Sequence, residues 1–469
     1  MGLIRNFSFL TAAHLFEKII TFILVIILAR YLGVQGYGIY ALALSFVGLF
    51  GHLFDGGLNL LLMREVAKGK ADRPQLLGQV LVGKVLMGMV VLSTAVFLAM
   101  ILAYPQEAFL SIVIYSVSML LLSFSNTFRS VFIALERAEF EALLLVLSRC
   151  LLLGGVVILA VLGRGLPDIM TAHLGSALIT LWLGGYLCKK LFFSPSWAAK
   201  LGGMKNLFKE AIPFAIGAIM GEIFFNIDTV MISKMVGLES VGYYNAAYKL
   251  SFSGVLFANT ITLAAYPSFS KSWFEDKDNV FRVFGKLFRA LTVLSIAFSL
   301  TATVLSDNII GLAFGEQYEE STVLFQILVW SLPPLCLMHL TGRTIEAIGE
   351  QRFAANTMVL CVLINVFLNF VLILKYGAMG ASIATVFTSF LIVTIHMRRL
   401  QRKMGFPKMK VPFAKIGICL IGLLAVILLL KGLNWLVAVS IGLAVFFGLL
   451  ILLKVFKRED IEMLTGKSA

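Results

Sequence analysis

A short block of this chain occurs twice. Residues 29–44 read A-R-Y-L-G-V-Q-G-Y-G-I-Y-A-L-A-L, and residues 233–248 read S-K-M-V-G-L-E-S-V-G-Y-Y-N-A-A-Y. Laid together without gaps, Gly33 meets Gly237, Gly38 meets Gly242, Tyr40 meets Tyr244 and Ala43 meets Ala247, with Arg30 opposite Lys234. Each block joins one long apolar segment to the next. Glycine admits positive φ and close helix approach, so Gly33, Gly38, Gly237 and Gly242 read as turn residues with no chemistry of their own. A helix–turn–helix repeated near the start of each half of an apolar chain is the pattern of membrane carriers built from two repeated lobes.

The rest of the sequence fits a bilayer. Of 469 residues, 60% are hydrophobic and 14% charged, against roughly 25% charged in soluble domains. The mean hydropathy is +0.96. A span needs about 20 mainly apolar residues, and about fourteen segments qualify: 11–31, 37–58, 80–104, 108–135, 142–162, 169–188, 208–231, 241–265, 287–306, 322–345, 354–374, 379–397, 412–430 and 433–455. The expected fold is an all-α polytopic membrane protein. Its first six-helix lobe covers residues 1–190, a basic linker 191–206, a second six-helix lobe 207–400, and two appended helices with a basic tail 401–469. The first segment carries Glu17 and Lys18 and lacks a small-residue cleavage site, so it is expected to stay as a signal anchor.

Charge tests the segment count. Even-numbered connections hold Arg64, Lys68, Lys70 and Arg73; Arg137; Lys189, Lys190, Lys200 and Lys205; Lys271, Lys277, Arg282 and Lys286; Arg352; and Arg398, Arg399, Arg402, Lys403, Lys408 and Lys410. Odd-numbered ones hold only Arg30, Arg164, Lys234, Lys375 and Lys431. A miscount would have scrambled this alternation. The positive-inside rule then places the even connections and both termini in the cytoplasm. The net charge of +14 is thus read as topology, and nucleic acid is excluded as a partner. A second echo, A-L-E-R-A-E-F-E-A at 134–142 and A-I-G-E-Q-R-F-A-A at 347–355, enters the fifth and the eleventh segments. An offset of six spans preserves orientation, so the lobes are expected to be related by an axis along the membrane normal.

Polar groups at membrane depth are costly and usually face a cavity or a partner. The first segment has His14, Glu17 and Lys18; the fourth Asn126 and Arg129; the fifth Arg149; the seventh Glu222, Asn226 and Asp228; the eighth Asn245 and Lys249. Glu222 lies about 15 Å from the nearer helix end by the helical rise. Lys18, Arg149 and Lys249 also lie too deep to snorkel easily, and each reads either as lining a wet cavity or as half of a structural ion pair. Glu222 and Asp228 read either as coupling-ion ligands or as interlobe salt bridges. Lys84, Arg289 and Arg343 lie nearer segment ends and read as snorkelling to headgroups. Asp55 is expected to cap the short segment after it, and Arg64 to bind headgroups or a lipid phosphate. Pro333-Pro334 should kink the tenth segment. His52, His173, His339 and His396 stand isolated in sequence and read as core or interface histidines.

Several chemistries find no support. Gly78 to Gly83-Lys84 has Walker spacing, but Val85 follows and the lysine sits in an apolar segment, so ATP hydrolysis is not expected. The cysteines Cys150, Cys188, Cys336, Cys361 and Cys419 lack metal spacing and read as small hydrophobes. There is no Gly-x-Ser-x-Gly elbow.

The motifs resemble the polysaccharide transporter branch of the superfamily of multidrug, oligosaccharidyl-lipid and polysaccharide exporters, whose members include the Wzx-type flippases of lipid-linked O-antigen and exopolysaccharide units. The resemblance rests on Arg30-Tyr-Leu-Gly33 with Tyr37-Gly38-x-Tyr40, Asp55-x-Gly57-Leu58 with Arg64-Glu65, Ile227-Asp228, Val241-Gly242-Tyr243-Tyr244, Pro267 and Gly377-x-x-Gly380-Ala381. It runs over most of the chain. Thr229 follows the aspartate where many members carry a basic residue, so no phosphate contact is expected there.

The resemblance implies a two-lobed alternating-access carrier and no enzyme; a helical chain, unsuited to an outer-membrane barrel, is expected in the inner (plasma) membrane of a prokaryote. Its substrate would be a polyprenyl-diphosphate-linked oligosaccharide. Polysaccharide polymerase or assembly proteins would be its partners and membrane lipids its surroundings. A cation in a low-dielectric cavity attracts phosphate strongly, so Lys18, Arg149, Lys249 and Arg64 are the expected headgroup-binding residues. Transport is expected to be either passive or ion-coupled; buried carboxylates can couple proton or cation binding to gate position, so Glu17, Glu222 and Asp228 are the candidate coupling residues for H⁺ or Na⁺ in an antiporter, and no cofactor is expected. A drug or cation extruder of the multidrug branch is the alternative within the superfamily. A membrane-embedded polysaccharide polymerase or ligase is the alternative outside it, disfavoured by the short odd-numbered connections.

Overall fold

The computed structural model describes residues 2–69, 72–196, 204–405, 412–430 and 434–455; the side chains of residues 2–8, 204–218, 264, 274, 404 and 413 lie outside this description. So do Lys70, Lys200, Lys408, Lys410 and Lys431, most of the expected linker and the tail beyond Val455. Among the described residues there is no strand. The helices are α1 (Gly2–Gly48), α2 (Leu58–Lys68), α3 (Arg73–Ile101), α4 (Gln106–Ala134), α5 (Ala138–Val161), α6 (Leu166–Leu191), α7 (Met204–Met235), α8 (Leu238–Ser253), α9 (Val255–Glu275), α10 (Lys277–Val304), α11 (Ser306–Phe314), α12 (Ser321–Leu328), α13 (Leu332–Ala347), α14 (Gln351–Tyr376), α15 (Ala378–Met404), α16 (Phe413–Leu429) and α17 (Trp435–Leu452). Backbone polar groups in lipid must be satisfied within the segment, which leaves helix as the spanning form. The chain is an all-α, multi-pass membrane protein.

Ten helices among the described residues are long and apolar enough to cross a membrane. One of them, Phe9–Gly48, holds the first expected segment and the start of the second, whose remainder runs on in turns; it is broken where Gly33 leaves helical geometry at φ 69°, ψ 179°. The equivalent Gly237, at φ 139°, separates α7 from α8. Fourteen is therefore a count of apolar segments rather than of helices that meet this length and hydropathy.

Several connections are more ordered than expected. The stretch after the second segment forms α2, because Leu58, Leu61, Leu62 and Val66 recur at helical spacing and are buried while Arg64 and Lys68 stay exposed. The basic stretch 267–286 is nearly all helix, shared by α9 and α10. Asp72 and Asp276 accept backbone N–H bonds from Gln75 and Asn279 and so start α3 and α10, each worth about 1 kcal/mol. Before the Pro333-Pro334 pair the tenth segment passes through a 3-10 turn at Val329–Ser331, the interruption that the two missing N–H groups require.

The chain divides into two compact units, Met1–Asn245 and Ala246–Ala469. This packing boundary falls inside α8, beyond the start of the second sequence repeat, because α7 packs on α1 and α2. In the first unit, apolar side chains of α2 to α6, with Leu62, Leu77, Phe132 and Cys188 among them, form one core. In the second, Phe269, Phe284, Leu340 and Leu400 lie in a core built from α9, α10, α13 and α15, and α16 and α17 pack on α10 around Leu423 and Phe446. The faces are inverted relative to a soluble protein. Leu360, Leu363, Phe367, Phe370 and Leu374 form an exposed stripe along α14, while Asn365 and Asn369 on the same helix are fully buried. Hydroxyls inside the helices donate back to carbonyls one turn earlier, as Ser116, Ser118 and Thr127 do in α4.

Candidate functional site

The first unit encloses a cavity of about 220 Å³ lined by His52, Asp55, Asn59, Ser123, Asn126 and Glu222, among others. The local sequence builds it. α1 ends at Gly48, and successive turns carry the chain through Gly56 (φ 57°) and Gly57 (φ 79°) into α2. That turn holds His52 and Asp55 at the cavity wall. Beneath them Lys84 of α3 is completely buried. Its ammonium lies 2.9 Å from Asp55 Oδ1 and donates to Asn59 Oδ1 at 2.8 Å and to the Ser123 carbonyl at 2.7 Å. An ammonium has three protons, and oxygens surround it on several sides. Burying a charge is tolerable only with such pairing.

This corrects two expectations. Lys84 does not snorkel: it sits close enough to Asp55 to gain more from that carboxylate than from headgroups. Asp55 does not cap α2. Gly57 occupies the cap position without a side-chain bond, and the Asp55 carboxylate is turned to Lys84. Nor is His52 isolated, since its Nε2 lies 3.5 Å from Glu222 Oε1. Glu222 Oε2 also accepts a 2.8 Å bond from Asn226. Sequence reasoning placed Glu222 at depth but missed His52, Asn59 and Ser123. The opposite signs of Asp55 and Lys84 on successive segments were the available signal.

A second cluster joins α1 to α5. Glu17, buried, receives Arg149 Nη2 at 2.7 Å and Nε at 3.1 Å on its Oε1, and His14 Nδ1 lies 3.6 Å from its Oε2. Thus an expected coupling residue and an expected headgroup residue are partners of one another. Lys18, next along the helix, is exposed. The other expected residues are dispersed. Asp228, 1% exposed, accepts a 2.8 Å bond from the Tyr244 hydroxyl. Arg64 binds its neighbour Glu65 at 2.8 Å on the outer face of α2, where Lys68 joins them. Lys249, in the second unit, is exposed with its Nζ 5.9 Å from the Tyr248 ring.

The repeat tyrosines have parallel surroundings. Tyr244 ends on Asp228, and Tyr40 lies 3.2 Å from His173 Nε2, whose ring also meets Tyr115 edge-on. The histidine is therefore a partnered interior group. Gly38 and Gly242 do more than turn the chain. A side chain at Gly38 would strike the Leu238 carbonyl, and one at Gly242 the Val34 carbonyl. Val34 and Leu238 are themselves equivalent positions in the two blocks, so each block's glycine receives the other's backbone.

Comparison with known proteins follows the same lines. A family model described as polysaccharide biosynthesis protein matches residues 3–273, and one described as MatE matches residues 213–371. The chain is 23% identical over 456 residues, 96% of its length and 95% of the relative's, to a protein named probable low-salt glycan biosynthesis flippase Agl15 from Haloferax volcanii. It is 27% identical over 237 residues, 49% of its length and 46% of the relative's, to lipopolysaccharide biosynthesis protein WzxC of Escherichia coli. Among solved structures, the lipid II flippase MurJ in an inward closed conformation shares the fold at TM-score 0.81 and 17% identity, covering 95% of this chain and 98% of that one. The duplicated block, the Asp55 turn and the family model, which spans more than half of the sequence, together place this chain in the polysaccharide biosynthesis protein family.

Proposed function

We infer that this chain is a flippase, a transporter rather than an enzyme, that carries a lipid-linked oligosaccharide across the membrane by alternating access. The observation that carries the inference is the similarity, along nearly the whole chain, to a protein named a glycan biosynthesis flippase. The family match and the shared fold with a lipid II flippase support it. The polar groups at membrane depth fit it as well, because a hydrophilic headgroup needs a wet, charged path through the bilayer.

The finer reading follows from chemistry. The linkage to the lipid is a polyprenyl diphosphate, and Lys18 and Lys249, both exposed cations on apolar helices, hold it during passage. Arg149 acts through its pairing with Glu17, which fixes the guanidinium in place, and Arg64 meets phosphate at the membrane surface. The Glu222–His52 pair, a carboxylate and an imidazole 3.5 Å apart on the wall of the cavity, takes up the coupling proton. Asp228 and Glu17 support the gates rather than carry the ion. The lobes are 1–190 and 207–400, the termini face the cytoplasm, and polymerase or assembly proteins take up the product.

The test is flipping of a fluorescent polyprenyl-diphosphate oligosaccharide in proteoliposomes, read by a membrane-impermeant quencher, with and without a pH or sodium gradient. Movement is expected, and Glu222→Gln is expected to abolish its dependence on a pH gradient. If Lys18→Ala and Lys249→Ala, singly and together, leave flipping intact, the diphosphate clamp is wrong. The MatE match over 213–371 favours a second reading, export of a small cation. Dye efflux without any lipid movement would establish it instead.

A further inference from the structure

The second unit holds a cavity of its own, about 240 Å³, between α13, α14 and α15. His339, Gly342, Arg343 and Glu346 line it from α13 at helical spacing, Met358 from α14 and His396 from α15. A side chain built at Gly342 would meet nothing within 4 Å, so that position faces open space. Arg343 Nη1 lies 3.1 Å from Glu346 Oε2, and both side chains are about a third exposed. One cation and one anion thus stand side by side on the wall.

His396 closes the wall from α15. It is 5% exposed, and its Nδ1 lies 3.1 Å from the Thr341 hydroxyl. That hydroxyl donates to the Leu337 carbonyl at 2.9 Å. A hydroxyl has one proton to give, so it accepts from Nδ1–H, and the other ring nitrogen, Nε2, presents a lone pair. Among the described residues Nε2 has no hydrogen-bond partner. Nε2 is itself buried, so His396 packs behind the wall and leaves Arg343 and Glu346 as the charged groups that reach what enters the cavity.

We propose that this cavity binds the zwitterionic phosphoethanolamine headgroup of a membrane phospholipid. The ammonium lies against Glu346, and the phosphate against Arg343. The fixed charges cancel, which suits a zwitterion: a wholly anionic headgroup would meet Glu346, and a wholly cationic one Arg343. Depth fits a lipid. Arg343 is one turn from the end of α13 at Ala347, and Arg398, Arg399 and Arg402 follow His396 along α15, marking the headgroup level. Met338, Met358 and Ile392 receive the apolar base of the lipid.

The purified full chain, in detergent micelles doped with equal phosphatidylethanolamine and phosphatidylglycerol, tests this by native mass spectrometry. Wild type is expected to retain phosphatidylethanolamine several-fold over phosphatidylglycerol. Glu346→Gln removes the counter-charge of the ammonium and should bring the ratio to one or below. Gly342→Leu fills the space and should lower retention of both lipids, while an unchanged melting temperature shows that the fold survives. An equal ratio in wild type, or a preference untouched by Glu346→Gln, overturns the proposal. Displacement of the lipid by free phosphoethanolamine would overturn the lipid as the source in favour of the soluble headgroup.

Discussion

Lys84 is the residue on which burial and charge meet most directly. It is fully buried and its partners are Asp55, Asn59 and Ser123. Removing one member of a buried pair leaves the other charge uncompensated, at about 3–5 kcal/mol, whereas replacing both by apolar groups of similar size is often nearly neutral. Lys84→Met is therefore expected to lower the melting temperature in detergent strongly, and Lys84→Met with Asp55→Leu to recover most of the loss; a double-mutant cycle of these two substitutions by thermal unfolding checks it. The glycines make a sharper prediction about space. Gly38→Ala drives a methyl into the Leu238 carbonyl and Gly242→Ala into the Val34 carbonyl. Backbone cannot swing aside as a side-chain tip can, so each should cost about 1–3 kcal/mol, as overpacking does, while Gly175→Ala, where nothing lies within 4 Å, should be mild.

At the scale of elements, the two loop echoes are built alike. Arg137 lies over the Phe140 ring at 4.8 Å and pairs with Glu139 at the entry of α5. Arg399 lies over the Phe353 ring at 4.9 Å and pairs with Glu350 at the entry of α14. A phenylalanine stacked by an arginine thus fixes the start of a helix in both repeats. Glu350, outside the spans, accepts from Arg399 at 2.5 Å and from Lys403 at 2.9 Å, tying α14 to α15. Those hydrogen bonds, that from Arg399 foremost, hold its carboxyl below the usual range. A lowered value means that the stabilisation is complete above the ordinary carboxylate range and is lost as pH falls through the folded value. Wild type should therefore lose melting temperature below about pH 4, and Glu350→Gln should be less stable at neutral pH and respond less to acid. Differential scanning fluorimetry across pH 3 to 8 would read both. The positions of the helices were legible from hydropathy and glycine placement, because lipid imposes one spanning form. What was not legible was which turn of which helix faces which neighbour: α2 read only as a short capped segment in a basic connection because its apolar residues Leu58, Leu61, Leu62 and Val66 cover too short a stretch to span a bilayer, and His52 read as isolated because its partner Glu222 is far along the chain.

For the whole molecule, the reading as a flippase came from motifs distributed along the chain, and the family and fold agree with it. The individual roles were harder to read, since a deep charge looks the same in sequence whether it meets substrate or another side chain. Glu17 and Arg149 illustrate this, because each was a candidate for a different task and they are joined to one another. Glu17→Arg alone should abolish flipping and lower stability. Glu17→Arg with Arg149→Glu should restore stability and much of the flipping, because the pair acts by holding α1 to α5; recovery of stability without transport would assign Arg149 to the substrate directly. The glycine contact between the two blocks carries one more consequence. Because the same patch appears on both sides, with position 34 against 242 and 38 against 238, the interface is isologous in the sense used for twofold dimers. A half-length chain bearing a single block would already own a surface complementary to itself, so pairing of two identical halves needs no new contact, and fusing them end to end only makes the partner permanent.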